Sequence, residues 1–180
     1  MKVFIGGSKS ICSLPSAGAS QLQRLIDLKA DILVGDCHGA DRAVQHFFAT
    51  ANYPKVTVYF SGKAARNNVG NFPQIRVPTT ETAGTYPYRR SKDIRMEQEC
   101  DCGLMLWDGA SKGTLQNIID LIAARKQVLV CINNHIVEYS RAELNNGFSR
   151  SELPSRYGRM ATDQLRRDLT APEANTKQNC

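Results

Sequence analysis

The chain predicts an α/β fold of three layers, α/β/α, with helices on both faces of a mostly parallel five-stranded sheet. Three observations carry this reading. Short apolar runs recur along the first 132 residues, separated by stretches whose apolar residues fall at helical spacing. The runs are continuous rather than alternating, the pattern of strands covered on both faces. Three of them deliver directly into turns of small residues.

Each element follows in order. Lys2–Ile5 forms a first strand that ends at Gly6-Gly7-Ser8. A helix spans about Leu14 to Leu28, with Leu22, Leu25, Ile26 and Leu28 at helical spacing and Pro15 in its first turn. Ile32–Val34 is a second strand, ending at Gly35-Asp36. Arg42 to Ala49 is an amphipathic helix with Asp41 as its N-cap. Val56–Phe60 is a third strand by its β-branched and aromatic content. Between Ser61 and Pro87 the periodicity breaks down into a long irregular excursion, a length usually reserved for functional loops. A helix from Ser91 to Glu99, a fourth strand from Gly103 to Trp107, a helix from Leu115 to Arg125 and a fifth strand, Gln127–Ile132, complete the set. Strands alternating with helices imply crossover units and hence parallel pairing.

The 180 residues suit one domain, expected over 1–148, followed by a polar basic tail over 149–180 with one short helix near Ala161–Leu169. No apolar stretch reaches the roughly 18–20 residues of a membrane span, and the N-terminus turns glycine-rich too soon for a signal peptide, so a cytoplasmic protein is expected. The net charge of +6 owes much to Arg141, Arg150, Arg156, Arg159, Arg166 and Arg167, all within the last forty residues. A basic tail is commonly a solvated segment, so a nucleic-acid partner ranks last. The six cysteines, Cys12, Cys37, Cys100, Cys102, Cys131 and Cys180, contain no CxxC pair, which argues against a zinc site or a disulfide framework, and the close pair Cys100 and Cys102 reads as inert buried thiols.

The chemistry is expected at the carboxyl ends of the strands, where parallel sheets bind ligands. Three loops leave that edge: Gly6-Gly7-Ser8-Lys9-Ser10, Gly35 to Asp41 including Asp36, His38 and Gly39, and Asp108-Gly109-Ala110-Ser111-Lys112-Gly113-Thr114. Their small residues let backbone N–H groups close on an anion, and a helix starting near Thr114 adds its positive end, so a phosphate is the natural guest. The spacing fits neither GxxxxGK[ST] nor GxGxxG, which disfavours a P-loop ATPase or an ordinary dinucleotide-dependent dehydrogenase.

Taken in order, VFIGGSKSI, ILVGDCHGADRAVQ, ARNNVG and KDIRMEQECDCGLMLWDGASKGTLQNI resemble the SLOG superfamily of Rossmann-like proteins. That superfamily includes the Lonely Guy phosphoribohydrolases and many nucleotide-binding or sensor domains. The resemblance covers about Lys2 to Ile132 and is nearest to an uncharacterised bacterial and phage branch with GGS, GDxxGAD and WDGxSxGT motifs. It implies a phosphate cradle but not the hydrolase. The Lonely Guy motif PGGxGTxxE ends in a catalytic glutamate; here Gly113-Thr114 is followed three residues later by Asn117. The start of the motif is altered to Asp108-Gly109, and Lys92-Asp93 stands near the place of an arginine-lysine pair.

Another carboxylate could stabilise the oxocarbenium-like state of N-ribosyl cleavage. Asp93, Asp36 and Glu97 are the catalytic candidates, and Asp93 and Glu97, four apart, share a helix face beside Lys92. Asp36 and Asp41 are equally suited to bracing their loop. His38 is a candidate acid or contact in the same loop. Arg66 offers a planar fork for phosphate, and Asn67 and Asn68 offer amides for a base or ribose, although asparagines before Gly70 also simply form turns. Trp107 is suited either to stacking on a base or to filling the core. Lys9 and Lys112 are candidate phosphate cations.

The expected function is binding of a nucleotide or nucleotide-derived phosphate ligand, such as a nucleoside monophosphate or ADP-ribose. An N-glycosidase or other nucleotide-processing hydrolase is the alternative. No metal or further cofactor is expected, nor any membrane partner, and homo-oligomerisation is left open.

Overall fold

The computed structural model describes residues 1–139. The expected tail over 149–180, its short helix, its arginines, Cys180 and the domain boundary at 148 lie outside them.

Seven strands form one sheet: β1 (Lys2–Gly7), β2 (Asp31–Gly35), β3 (Val56–Phe60), β4 (Gln74–Arg76), β5 (Cys102–Leu106), β6 (Gln127–Ile132) and β7 (His135–Tyr139). Four helices connect them: α1 (Ser16–Asp27), α2 (Ala40–Thr50), α3 (Tyr86–Glu99) and α4 (Lys112–Ala123). The order across the sheet is β4-β3-β2-β1-β5-β6-β7, parallel throughout except for the β6–β7 pair. The chain therefore winds outward from β1 to β4, returns to the middle at β5 and winds the other way. Right-handed crossovers put helices on opposite faces when the winding direction reverses. Accordingly Leu22 of α1 and Val44 and Phe48 of α2 pack with Val3, Ile5, Ile32 and Val34 on one face. Met96 of α3 and Ile118, Leu121 and Ile122 of α4 pack with Phe4, Met105, Val128 and Val130 on the other. The expected three-layer α/β architecture holds.

Two strands correct the expected count of five. β4 lies inside the stretch read as an irregular excursion; it is three residues long, exposed at every position and paired only with β3 at the sheet edge. A strand with no buried face leaves no hydrophobic pattern to detect. β7 follows a two-residue turn, Asn133-Asn134, with φ of 45° and 62°, the left-handed pair that a tight hairpin needs and asparagine tolerates. The Asn134 side chain reaches further: its Oδ1 accepts from the Ser16 hydroxyl at 2.9 Å and from the Ala17 amide at 2.8 Å. A residue 118 positions downstream thus closes the start of α1, where Pro15 offers no side-chain cap.

Asp41, expected as the N-cap of the second helix, lies inside the first turn of α2, whose N-cap is Gly39. A further correction concerns α3, which begins at Tyr86 rather than Ser91. Thr85 caps it, accepting the Tyr88 amide, and Pro87 sits in the first turn, where a missing N–H costs nothing. Pro87 ends the irregular stretch by opening a helix. Among the described residues no helix is long and apolar enough to cross a membrane.

Candidate functional site

The reversal of strand order falls between β1 and β5, so the loops leaving these two strands border a crevice. There a cavity of about 430 Å³ opens between the β1 loop, the β5 loop with the start of α4, and one face of α3. Of the expected residues, Gly6, Gly7, Lys9, Asp41, Lys92, Asp93, Asp108, Ser111, Lys112, Gly113 and Thr114 line it.

Ser8 is fully buried behind this wall and ties the two loops together. Its amide donates to Leu106 O at 2.9 Å, its hydroxyl accepts from the Asp108 amide at 3.1 Å, and Thr114 Oγ1 lies 3.3 Å from Ser8 Oγ. Asp108 draws on the loop amides expected to face a ligand: its Oδ1 accepts from Ala110 and Ser111 at 2.9 and 2.8 Å, while Ser10 donates to its Oδ2 at 2.5 Å. Burial works against the charge, but these hydrogen bonds outweigh it and hold the carboxyl at about 2. Asp108 therefore shapes the loop as an acceptor. Ser111 caps α4 by accepting the Thr114 amide. Lys112 and Gly113 occupy the first two helical positions, whose N–H groups have no partner within a helix.

Trp107 takes the core role rather than the stacking one. Its ring packs in the α3–α4 core, 4% exposed, and its Nε1 donates to Ser111 O at 3.1 Å, bracing the loop from beneath. Gly109 lies outside the cavity wall.

The β2 loop contributes less than expected. Cys37 and Asp41 reach the cavity; Gly35, Asp36, His38 and Gly39 do not line it. Asp36 is buried and clamped by Arg66, whose Nε and Nη2 donate at 2.9 and 2.5 Å. Burial alone would raise its pKa, but the guanidinium hydrogen bonds win and hold it below the ordinary carboxylate value. Asn67 donates to Asp36 O at 2.9 Å, and Asn68 bonds the Phe72 backbone in both directions. Arg66, Asn67, Asn68 and Asp36 are thus one bracing network that anchors the 61–73 segment to the end of β2. Its charged groups are satisfied internally, which removes Asp36 from the catalytic candidates. His38 is exposed and does not line the cavity. Gly39, at φ 74°, lies directly over the Lys9 backbone, where a side chain would have no room.

Lys92 is buried at the cavity floor with Nζ 2.7 Å from Asp93 Oδ1 and 3.7 Å from Asp41 Oδ2, and its Nζ and Asp41 Oδ2 lie beside Gly35. Burial disfavours the ammonium, yet the two carboxylates prevail and its pKa is raised. Asp41, whose Oδ2 accepts the Cys37 amide at 3.0 Å, is pushed up by burial against the pull of Lys92.

Glu97 is a turn further along α3 and leaves the cavity. It faces Arg90, whose guanidinium also donates to Asn117 Oδ1 at 2.9 Å and Asp120 Oδ2 at 2.5 Å. Burial pushes Glu97 up to about 7, with Arg90 pulling it down. Because the unfolded side chain titrates near 4.5, stability should fall as the pH rises from there to about 7. Glu97→Gln is expected to flatten that limb of the profile and to add about 2 kcal/mol near pH 8. Urea midpoints across this range provide the measurement, and an unaltered slope would contradict the assignment.

Among the cavity residues that escaped the sequence reading are Tyr86, Arg89 and Arg90. Their signal was present, since Tyr86, Arg89, Arg90 and Asp93 follow the i, i+3, i+4, i+7 pattern of one helical face. The expected start of the helix at Ser91 concealed it. The close thiol pair divides: Cys100 is buried as expected, whereas Cys102 is only partly buried; of the others, Cys131 is buried, Cys37 partly buried and Cys12 exposed.

Comparisons with protein-family models, with curated proteins and with solved structures each returned no match.

Proposed function

We propose that this protein binds the phosphate of a nucleotide or nucleotide-derived ligand, a nucleoside monophosphate, ADP-ribose or similar, in the cavity between β1, β5 and α3. One observation carries the reading. Lys9, Arg89 and Lys112 share the cavity with the start of α4, and none of the three has a carboxylate partner among the described residues. In all, five cationic side chains line the cavity against three carboxylates. Unpaired cations around the Lys112 and Gly113 amides, which the Ser111 cap does not engage, suit a multiply charged anion. The SLOG-like motifs, whose GGS and WDGxSxGT segments supply the β1 and β5 loops, support the same ligand class.

The reading is of binding without hydrolysis. Cleaving an N-ribosyl bond needs a carboxylate whose charge is available to a developing cation. Asp93 is the one catalytic candidate left in the cavity, and Lys92 neutralises it at 2.7 Å. At the position of the Lonely Guy glutamate, the Asn117 amide oxygen is engaged by Arg90.

Thermal shift against nucleoside monophosphates, NAD and ADP-ribose tests this; a ligand at a hundredfold excess over its Kd should add roughly 2.7 kcal/mol. Gly113→Val should abolish the shift with the fold intact, because a Cβ built there meets no atom within 4 Å and projects into the open approach to α4. A shift that survives Gly113→Val would take this loop out of the site. Chromatography of the same mixtures should show no free base; release that Asp93→Asn abolishes would establish the hydrolase instead.

A further inference from the structure

Tyr86 is the exposed aromatic ring of the anion cavity; Phe4 in its floor is 1% exposed and Trp107 is committed to the core. A second hollow, a groove of about 730 Å³, adjoins it along α3, and the two share Tyr86 and Arg90. The groove is apolar on one side, with Val77, Pro78 and Ile94, and carries hydrogen-bonding side chains in the 79–81 segment. Of the large hydrophobic side chains that remain exposed among the described residues, Tyr86 is the aromatic one, 50% exposed, and Ile94 stands one face-length along the same helix, 42% exposed. The Arg90 guanidinium between the hollows is fixed by Asn117 and Asp120.

We infer that this groove is the base subsite of the same ligand: the phosphate lies among Lys9, Arg89 and Lys112, and the planar base passes over Arg90 and stacks on Tyr86 against Ile94 and Pro78. This rests on the anion-site reading above and deepens it, because it requires a ligand that carries an aromatic ring as well as a phosphate. A sugar phosphate would fill only half of the site. Stacking on one exposed ring tolerates any base, so the groove sets ligand class more than base identity.

The test is calorimetric titration of the full chain with AMP, GMP, CMP, UMP and ribose 5-phosphate, on the wild type, Tyr86→Ala and Tyr86→Phe. Tyr86 is exposed at the first turn of α3, so both variants should keep the wild-type melting temperature. At least one nucleotide should bind the wild type about tenfold or more tighter than ribose 5-phosphate. Tyr86→Ala should erase that margin, weakening nucleotides far more than ribose 5-phosphate, and Tyr86→Phe should retain it. Equal binding of nucleotides and ribose 5-phosphate by the wild type would overturn the base subsite while sparing the anion site. So would an equal loss for both ligand types in Tyr86→Ala. Absence of binding by every ligand in the panel would overturn both.

Discussion

Lys92→Met should destabilise the protein by about 3–5 kcal/mol at neutral pH, the cost of stripping one partner from a buried ion cluster. Lys92 is 4% exposed, and its ammonium is the cation set between Asp93 and Asp41, the latter 5% exposed. Methionine fills the space but cannot answer either carboxylate, and the apolar area it buries offsets little of that loss. The pH dependence supplies a second check. Asp41 already has a raised folded-state pKa, and without Lys92 it rises further, so the variant's deficit should shrink as the pH falls toward the ordinary value of 3.8. Lys92 itself, with its folded-state pKa raised by its carboxylate neighbours, contributes to wild-type stability while those carboxylates are ionised, up to about pH 10.5, and loses that contribution in stronger alkali. Guanidinium midpoints for the wild type, Lys92→Met and the pair with Asp41→Asn would measure this, with the second substitution restoring part of the loss. A single variant as stable as the wild type would show that the cluster is not the keystone of the crevice.

Gly7→Ala should cost about 3 kcal/mol, or roughly 10 °C in Tm, by overpacking alone. A Cβ at this position would stand 2.6 Å from Ala40 Cβ and 2.9 Å from Leu106 Cβ, and against the Leu106 carbonyl oxygen. Neither wall can yield cheaply. Leu106 O already accepts the Ser8 amide at 2.9 Å, and Ala40, fully buried, opens α2 with its amide on Ser8 O at 3.2 Å. The contrast with Gly113 is the point of the experiment. Both glycines line the same cavity, yet one is required by backbone packing and the other by nothing in the fold. Differential scanning calorimetry should find Gly7→Ala weakened and Gly113→Val close to wild type; the reverse ranking would mean that the β1–β5–α2 contact is looser than described.

The candidate site was legible only in part. The β1 and β5 loops announced themselves because small residues follow apolar runs, and Lys92-Asp93 because Asp93 and Glu97 fall four apart on one face of a helix with Lys92 beside them. The same local signals marked Asp36, Arg66, Asn67 and Asn68, which the fold spends on one another: Arg66 and Asp36 are 30 residues apart and meet across a loop whose path no periodicity describes. Tyr86 and Arg89 were hidden behind a proline that opens a helix instead of preceding one.

By itself the sequence determined the alternation of strand and helix, the burial of the inner strands on both faces and the clustering of small residues at their carboxyl ends. All three follow from short-range patterns of apolar side chains. Tertiary structure alone decided that β1 and β5 are neighbours, that Trp107 turns inward, that Asn134 caps α1 and that three cations are left facing one hollow. These depend on which distant segments meet, and a contact between residues a hundred positions apart leaves no period in the chain to read.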